Sequence, residues 1–364
     1  MWSSTGPKVC SRSSTRSAPR DAIRVRHHGA VPRVVAATDK FRGTASAAEI
    51  ALAVARAAAG AGWDCDQVPV SDGGEGFADV LGGRSRLVRA HDPLGRELEA
   101  EWRLLDDGRT AVVEMALVSG LQLIGGAEAN DAVAADTTGT GELIAAAVKA
   151  GARRVLVGAG GSATTDGGLA AVGVLEPHSR LRGVELVVAC DVLISFVDAA
   201  RLFAPQKGAS PPQVELLARR LERLVQVYRA RFGVDVSAIP GGGAAGGLAG
   251  GLAAIGAALV PGFDVVAEAV DLVDRIDGAD LVVTGEGALD EQSFAGKAVG
   301  GVIGLAGELG VPALVVAGDL VGDRPEITAE VQILVERFGP ARAMADPAGC
   351  VQEVVAGCLA ARRG

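Results

Sequence analysis

Aromatic side chains make up only 3% of this 364-residue chain, with a single tyrosine. Its core must therefore be assembled from Ala, Val and Leu. With 49% apolar residues and 51 glycines to make turns, that composition favours a layered α/β protein over an all-β sandwich. The length allows two domains. Cysteine is also sparse. Cys10, Cys65, Cys190, Cys350 and Cys358 are scattered, odd in number and free of any CxxC pair. That excludes a zinc ribbon or a disulfide framework and points to reduced thiols in a cytoplasmic setting. Four histidines, His27, His28, His91 and His178, form no metal-like cluster.

Charge-free runs are short, with one exception. Residues 241–263 carry no charge and are long enough to span a bilayer. Glycine and alanine dominate the run, Pro261 interrupts it, and no basic flank orients it. These features predict a glycine-rich loop leading into a tightly packed helix rather than a membrane span. Several catalytic signatures are missing as well. Gly296-Lys297 is the nearest approach to a Walker A loop, but Glu291 stands where the first glycine belongs and Ala298 replaces Ser/Thr. GxSxG, HExxH and the protein-kinase set are absent.

The net charge of −9 is unevenly spread. Residues 1–33 form a basic, Ser/Arg-rich head, with Lys8, Arg12, Arg16, Arg20, Arg24 and Arg26 against Asp21 alone within the first thirty. It has no apolar segment of the secretory type and reads as disordered; an organellar transit peptide stays open. The remaining body is more acidic than the whole, which argues against a nucleic-acid surface.

What the chain does contain is a series of strand-like runs, each ending in glycine and acid. Arg33 to Ala37 leads into Thr38-Asp39-Lys40-Phe41-Arg42-Gly43. Ser46-Ala47-Ala48-Glu49 then has the pattern of a capping box. Gln67 to Val70 leads into Ser71-Asp72-Gly73-Gly74-Glu75-Gly76, and Ala279 to Thr284 into Gly285-Glu286-Gly287. A hairpin is predicted at Asp106-Asp107-Gly108, and a long amphipathic helix over Val214 to Phe232. The richest loop is Gly160-Gly161-Ser162-Ala163-Thr164-Thr165-Asp166-Gly167-Gly168, between a strand-like run and an alanine-rich helix. Glycines that let backbone amides approach, hydroxyls that donate, and a helix start suit phosphate or carboxylate.

In open parallel sheets ligands bind beyond the carboxyl ends of the strands. Asp39, Asp72, Glu286 and Asp319 all fall there, on strands from both ends of the chain. The expected architecture is a Rossmann/flavodoxin-like parallel-sheet α/β domain from residues 34–90 and 275–364, with a second α/β domain, 91–274, inserted and shortened around 169–200. Gly-plus-acid loops suit phosphoryl transfer, which needs donors and cations around phosphate and carboxylates to hold magnesium.

These motifs resemble the bacterial glycerate kinase family of the two-domain, glycerate 2-kinase type. The resemblance rests on Asp39 to Gly43, Asp72 to Gly76, Asp92-Pro93-Leu94-Gly95-Arg96, Glu114-Met115-Ala116 with Ser119-Gly120-Leu121, and Thr138 to Ile144. It continues through Gly160 to Gly168, Ala189-Cys190-Asp191-Val192, Pro205 to Ala209, Pro240 to Gly247, and Thr284 to Gly287 with Asp290, Gln292 and Gly296-Lys297. It implies ATP- and Mg2+-dependent phosphorylation of D-glycerate, leaning to 2-phosphoglycerate, in glycerate catabolism. The partners it implies are a small-molecule substrate and a nucleotide, with no nucleic acid and no membrane.

The candidate catalytic residues are Asp72, Asp191, Lys40, Arg42 and Lys207. Candidates for holding substrate or phosphate are Gly73, Gly74, Glu75, Thr138, Thr140, Gly160, Gly161, Ser162, Thr164, Asp166, Gly246, Gly285, Glu286 and Lys297. Asp39, Glu286 and Asp290 are the metal candidates. The chain departs from the family at three places: Arg42 replaces a lysine, the stretch from Gly168 to Glu185 is short, and Leu193 to Asp198 replaces an Asn-Pro-Leu loop. Two alternatives therefore stay open, an impaired nucleotide-binding relic and a kinase for a related hydroxy acid.

Overall fold

The structure, a computed structural model, describes residues 31–41, 43–294, 297–324 and 327–362. The basic head lies outside the described residues, apart from its last three positions. Thirteen strands are present among them: β1 Arg33–Ala36, β2 Asp64–Gln67, β3 Arg84–His91, β4 Glu97–Leu104, β5 Thr110–Glu114, β6 Arg154–Gly158, β7 Glu185–Ala189, β8 Ala258–Val260, β9 Leu281–Thr284, β10 Ala288–Leu289, β11 Ala313–Ala317, β12 Asp319–Leu320 and β13 Glu330–Ile333.

Five of these strands form a sheet in the order β13-β11-β9-β1-β2, parallel throughout. Taken in chain order, that is the 2-1-3-4-5 arrangement of flavodoxin-like folds, with its topological switch between β1 and β9. The expected α/β class and the parallel sheet drawn from both chain ends are both found. Val-rich runs such as Val34–Val35 and Leu281–Val283 are fully buried, as strands covered on both faces must be. The helix Ala47–Ala61 starts at the expected capping box, where Ser46 and Glu49 bond reciprocally, and stops at the left-handed Gly62.

The second sheet runs β3-β4-β5-β6-β7-β8. Its first two pairings are antiparallel and the rest parallel. Asp106–Gly108 lies between β4 and β5, as its Asp-Gly pair predicts. Two readings shift. β3 pairs with β4 along its whole length, so the change of sheet falls at Gly82-Gly83, both at positive φ, and not at the Asp92-Pro93 turn. The second strand is Asp64–Gln67, not Gln67 to Val70, although the Val68 and Val70 amides still bond to Ala36 and Thr38 carbonyls. Extended pairing thus continues past the regular ladder.

Both sheets belong to one compact unit, Pro32–Gly364. Val35, Ala37 and Val282 of the first sheet share a buried cluster with Val112, Leu156 and Val187 of the second. The stretch shortened relative to the family leaves the second sheet intact: a six-residue helix, Leu169–Val174, and one short 3-10 turn connect β6 to β7. The two strands pair in parallel from Arg154↔Glu185 to Gly158↔Ala189.

The charge-free run is a packing device. Among the described residues no helix is long and apolar enough to cross a membrane. A Cβ on Gly246 would lie 2.0 Å from the Thr164 carbonyl oxygen, and one on Gly250 would lie 2.5 Å from the Phe196 ring. Phe196 itself is fully buried. Small residues here let the Thr164–Gly168 backbone and one large ring pack closely.

Candidate active site

Loops from both sheets meet around the segment Asp72–Gly76, just beyond β2. The carboxylate of Glu114, at the end of β5, accepts the Gly76 and Ala78 amides, each at 3.0 Å. The Gly160 amide donates to the Gly73 carbonyl at 3.3 Å. A Cβ on Gly160 would stand 2.4 Å from the Gly74 Cα, and one on Gly262 would stand 2.2 Å from the Asp72 carbonyl oxygen. Backbone-to-backbone contact of this kind admits only glycine. The sequence motifs thus converge because their glycines touch.

A cavity of about 520 Å³ opens beside this junction. Asp72, Gly73, Gly74 and Glu75 line it together with Gly160, Gly161, Ser162, Asp191, Lys207 and Lys297. Ten of the candidates therefore share one wall system. Lys40 stands 3.9 Å from the Asp72 carboxylate and 3.8 Å from that of Asp39. It lines a second, larger cavity of about 860 Å³ with Asp39 and Glu75. Glu75 borders both.

The other candidates stand apart from the smaller cavity. Thr140 is fully buried, its hydroxyl 2.8 Å from that of Ser119. Thr138 opens the helix Thr138–Lys149, where its amide donates to Asp136. Thr164 and Asp166 lie behind the loop that faces the cavity, and Gly246 packs against them. Gly285, Glu286 and Asp290 gather at the switch point, where the Asp39 amide donates to the Gly285 carbonyl at 2.9 Å. Asp290 accepts the amide and hydroxyl of Ser293. Arg42 lies outside the described residues.

Within the Gly160–Gly168 loop the polar groups divide sharply. Asp166 accepts the Thr137 hydroxyl at 2.7 Å and its amide at 3.1 Å, and also the Gly168 and Ala170 amides. Burial raises its proton affinity and these bonds oppose the rise. Lys207, 3% exposed, donates to the Ser162 hydroxyl and the Thr164 carbonyl, each at 2.7 Å. Burial lowers its pKa to about 7, against the pull of Asp166. It holds the loop in shape and reaches the cavity wall.

Two carboxyls carry the opposite shift. Burial raises Asp191 to about 7; the Asp72 charge adds to this, while the Gly262 and Phe263 amides and Lys297 oppose it. Glu286 is also raised to about 7, first by burial and then by Asp39 and Asp290, with a Ser293 bond and Lys297 opposing. Each has one buried oxygen with no hydrogen-bond partner, Asp191 Oδ2 and Glu286 Oε1. Asp191 and Lys207 both line the smaller cavity, and perturbed groups of this kind single it out as a candidate site.

Sequence reasoning assigned no role to Glu114 or to Gly262. The position of Glu114 just after a strand could have flagged it. Nothing in the sequence distinguishes Gly262 from the many other glycines. Gln206, Val192, Phe203, Ala244 and Ala245 also line the smaller cavity; only folding brings them there.

Taken together, the flavodoxin-like sheet, the glycine junction and the lysines and acids around it suit phosphoryl transfer. The chain belongs to the glycerate kinase family, whose pattern it matches over residues 34–176 and 169–360, and it is a kinase. The two matched stretches overlap at residues 169–176. Glycerate 2-kinase of Escherichia coli is 35% identical over 329 residues, covering 80% of this chain and 86% of that protein. Glycerate kinase of Bacillus subtilis is 37% identical over 329 residues, with the same coverage of both chains. A crystal structure from Salmonella typhimurium LT2, presented as a candidate glycerate kinase 2, superposes with a TM-score of 0.76 at 30% identity. That match covers 92% of this chain and all of the other.

Proposed function

We propose that the protein transfers the γ-phosphate of ATP to a hydroxyl of D-glycerate, with 2-phosphoglycerate as the product, in the cytoplasm. The observation that carries this reading is the composition of the 520 Å³ cavity, which Lys207 and Lys297 line together with Asp72, Asp191 and the Gly73–Gly74 and Gly160–Gly161 backbones. Two cations and close-approaching amides suit phosphate oxygens and a substrate carboxylate. Acids in the same lining suit a hydroxyl that must lose its proton. We treat the two sheets as two domains, with this cleft where their loops meet.

Magnesium fits the acids at the switch point. An ion carried by a nucleotide takes one or two protein carboxylates and completes its shell with phosphate and water. Among the described residues no three His, Cys, Asp or Glu side chains gather into a ready-made cage, whereas Glu286 keeps a buried oxygen unpartnered. Asp39, Glu286 and Asp290 are the residues we assign to hold the ion or its waters. When bound, it would neutralise charge on the phosphates. Lys40, 3.9 Å from Asp72, fixes that carboxylate beside the Gly74 amide, and Lys207 keeps the Gly160–Ser162 backbone turned to the cavity.

The test is ADP release from ATP with D-glycerate, tartronate and other small hydroxy acids, with phosphorus NMR of the product. Glycerate-dependent release and a 2-phosphate signal are expected. Release with another acid alone would make the protein a kinase for that acid, and ATP binding without release would make it a binding relic. D72N should lose turnover and keep its fold; wild-type kinetics in that variant would remove Asp72 from the site.

A further inference from the structure

The three acids lining the smaller cavity, Asp72, Glu75 and Asp191, are not equivalent. Asp72 Oδ1 accepts the Gly74 amide at 3.1 Å and lies 3.9 Å from the Lys40 ammonium. Its carboxylate thus already has an amide donor and a neighbouring cation. Glu75 is exposed to solvent. Asp191 is held differently. Its Oδ1 accepts the Gly262 amide at 2.7 Å, while Oδ2 is buried, has no hydrogen-bond partner, and belongs to a residue that lines the cavity. A buried carboxylate oxygen without a donor is unfavourable. A hydroxyl presented from the cavity would relieve it.

We propose that Asp191 is the proton acceptor of the transfer, its Oδ2 taking the hydrogen of the attacking glycerate hydroxyl. This rests on the glycerate kinase reading above. The hydroxyl oxygen forms its bond to the γ-phosphorus of the nucleoside triphosphate. The bond from that phosphorus to the bridging oxygen breaks, and its electron pair leaves with the diphosphate. The hydroxyl proton passes to Asp191 Oδ2 and then to solvent.

The Gly262 bond fixes the carboxyl plane, so that the second oxygen points where Oδ1 does not. The groups facing Asp191 are Asp72, which raises its proton affinity, Lys297 and the Gly262 and Phe263 amides, which lower it, and the neighbouring Cys190 thiol, itself pushed up to about 11 by burial and by Asp191. With a pKa of about 7, the group is a stronger base than an ordinary aspartate and is still ionised at mildly alkaline pH. The segment departing from the family, Leu193 to Asp198, begins two residues later. It leaves this arrangement in place because Phe196 is buried and the Ile194 carbonyl accepts the Gly243 amide at 3.0 Å.

The experiment is the pH dependence of kcat and KM, from pH 5.5 to 9, for wild type, D191N, D191E and D72N, with glycerate binding measured by calorimetry. Wild type should lose kcat as the pH falls through about 7. D191N should lower kcat by about 10²–10⁴-fold, keep glycerate affinity within about threefold, and show no acid limb. D191E should recover at least about tenfold of that loss, because it restores a proton acceptor. A D191N enzyme with near-wild-type kcat and an intact acid limb overturns the assignment. If D191N fails to fold, a D191E variant that is folded yet loses the limb overturns it as well. Should wild type release no ADP with glycerate, the functional reading falls and takes the assignment with it. Turnover in wild type with an unimpaired D191N removes Asp191 alone.

Discussion

The loop after β6 and the switch point between β1 and β9 are both glycine-rich and acidic, yet they are finished to different degrees. In the loop every charge is matched within the protein. Asp166 takes four donors, and Lys207 gives two bonds. At the switch point Asp39 and Asp290 add to the burial that raises the proton affinity of Glu286, and Glu286 Oε1 has no partner. A network whose charges are all bonded sets a backbone shape before any ligand arrives, even where, as here, the buried Thr164 and Thr165 hydroxyls lack a partner. An unsaturated one stores a preference for a cation. The same residue types thus make a bonded cradle in one place and, in the other, the site proposed to take positive charge.

The sharpest way to break this contrast is K207M. It removes the cation that holds the cradle, and kcat/KM for glycerate should fall about 10²–10³-fold. An activity within threefold of wild type would mean that the loop keeps its shape and charge without Lys207. Next comes G160A. Its new Cβ meets the Gly74 backbone 2.4 Å away, which should cost about 1–3 kcal/mol in urea unfolding and weaken both substrates' binding. A variant of wild-type stability would show that the two loops separate easily.

The smallest effect is expected for E286Q, and it carries a sign. The folded-state pKa of Glu286 is raised to about 7 from an ordinary 4.5. The folded protein therefore binds the proton more tightly, and the buried charge costs stability that is absent below about 4.5 and fully present above about 7. E286Q should raise Tm at pH 8, leave it unchanged near pH 4.5, and increase the magnesium concentration needed for half-maximal turnover. Equal Tm shifts at both values would show that the carboxyl is not buried as a charge.

Much of this was legible in the residues. Val-rich strands, the Ser46–Glu49 cap and the acids at strand ends gave the sheet drawn from both chain ends, because those signals are local. Most of the ten candidates around the smaller cavity stood out because they sit in glycine-bearing motifs; Asp191 stood out by its place just past a strand. What was hidden depends on distant backbone contact. The glycines of 241–247 read equally as phosphate donors or as packing until the Thr164 carbonyl is placed against Gly246 and the Phe196 ring against Gly247. Thr140 and Thr164 look like ligand hydroxyls in sequence and are fully buried in the fold. Which acid keeps a free oxygen could not be read at all, since it depends on the Gly262 amide, 71 residues away from Asp191.

The order of strands along the chain also has a consequence for synthesis. The six-stranded sheet is contiguous, from Arg84 to Val260, and all of its strands exist once the ribosome has passed that point. The five-stranded sheet cannot close then, because β1 pairs with the central strand β9, and β9 in turn needs β11. Until Leu281 and beyond emerge, β1 presents an open edge with Val34 and Val35 uncovered on it, the kind of surface that invites aggregation. Shared packing with Val112, Leu156 and Val187 gives the waiting strands an early place to dock. The nascent chain therefore carries its own holding surface for the half that finishes last.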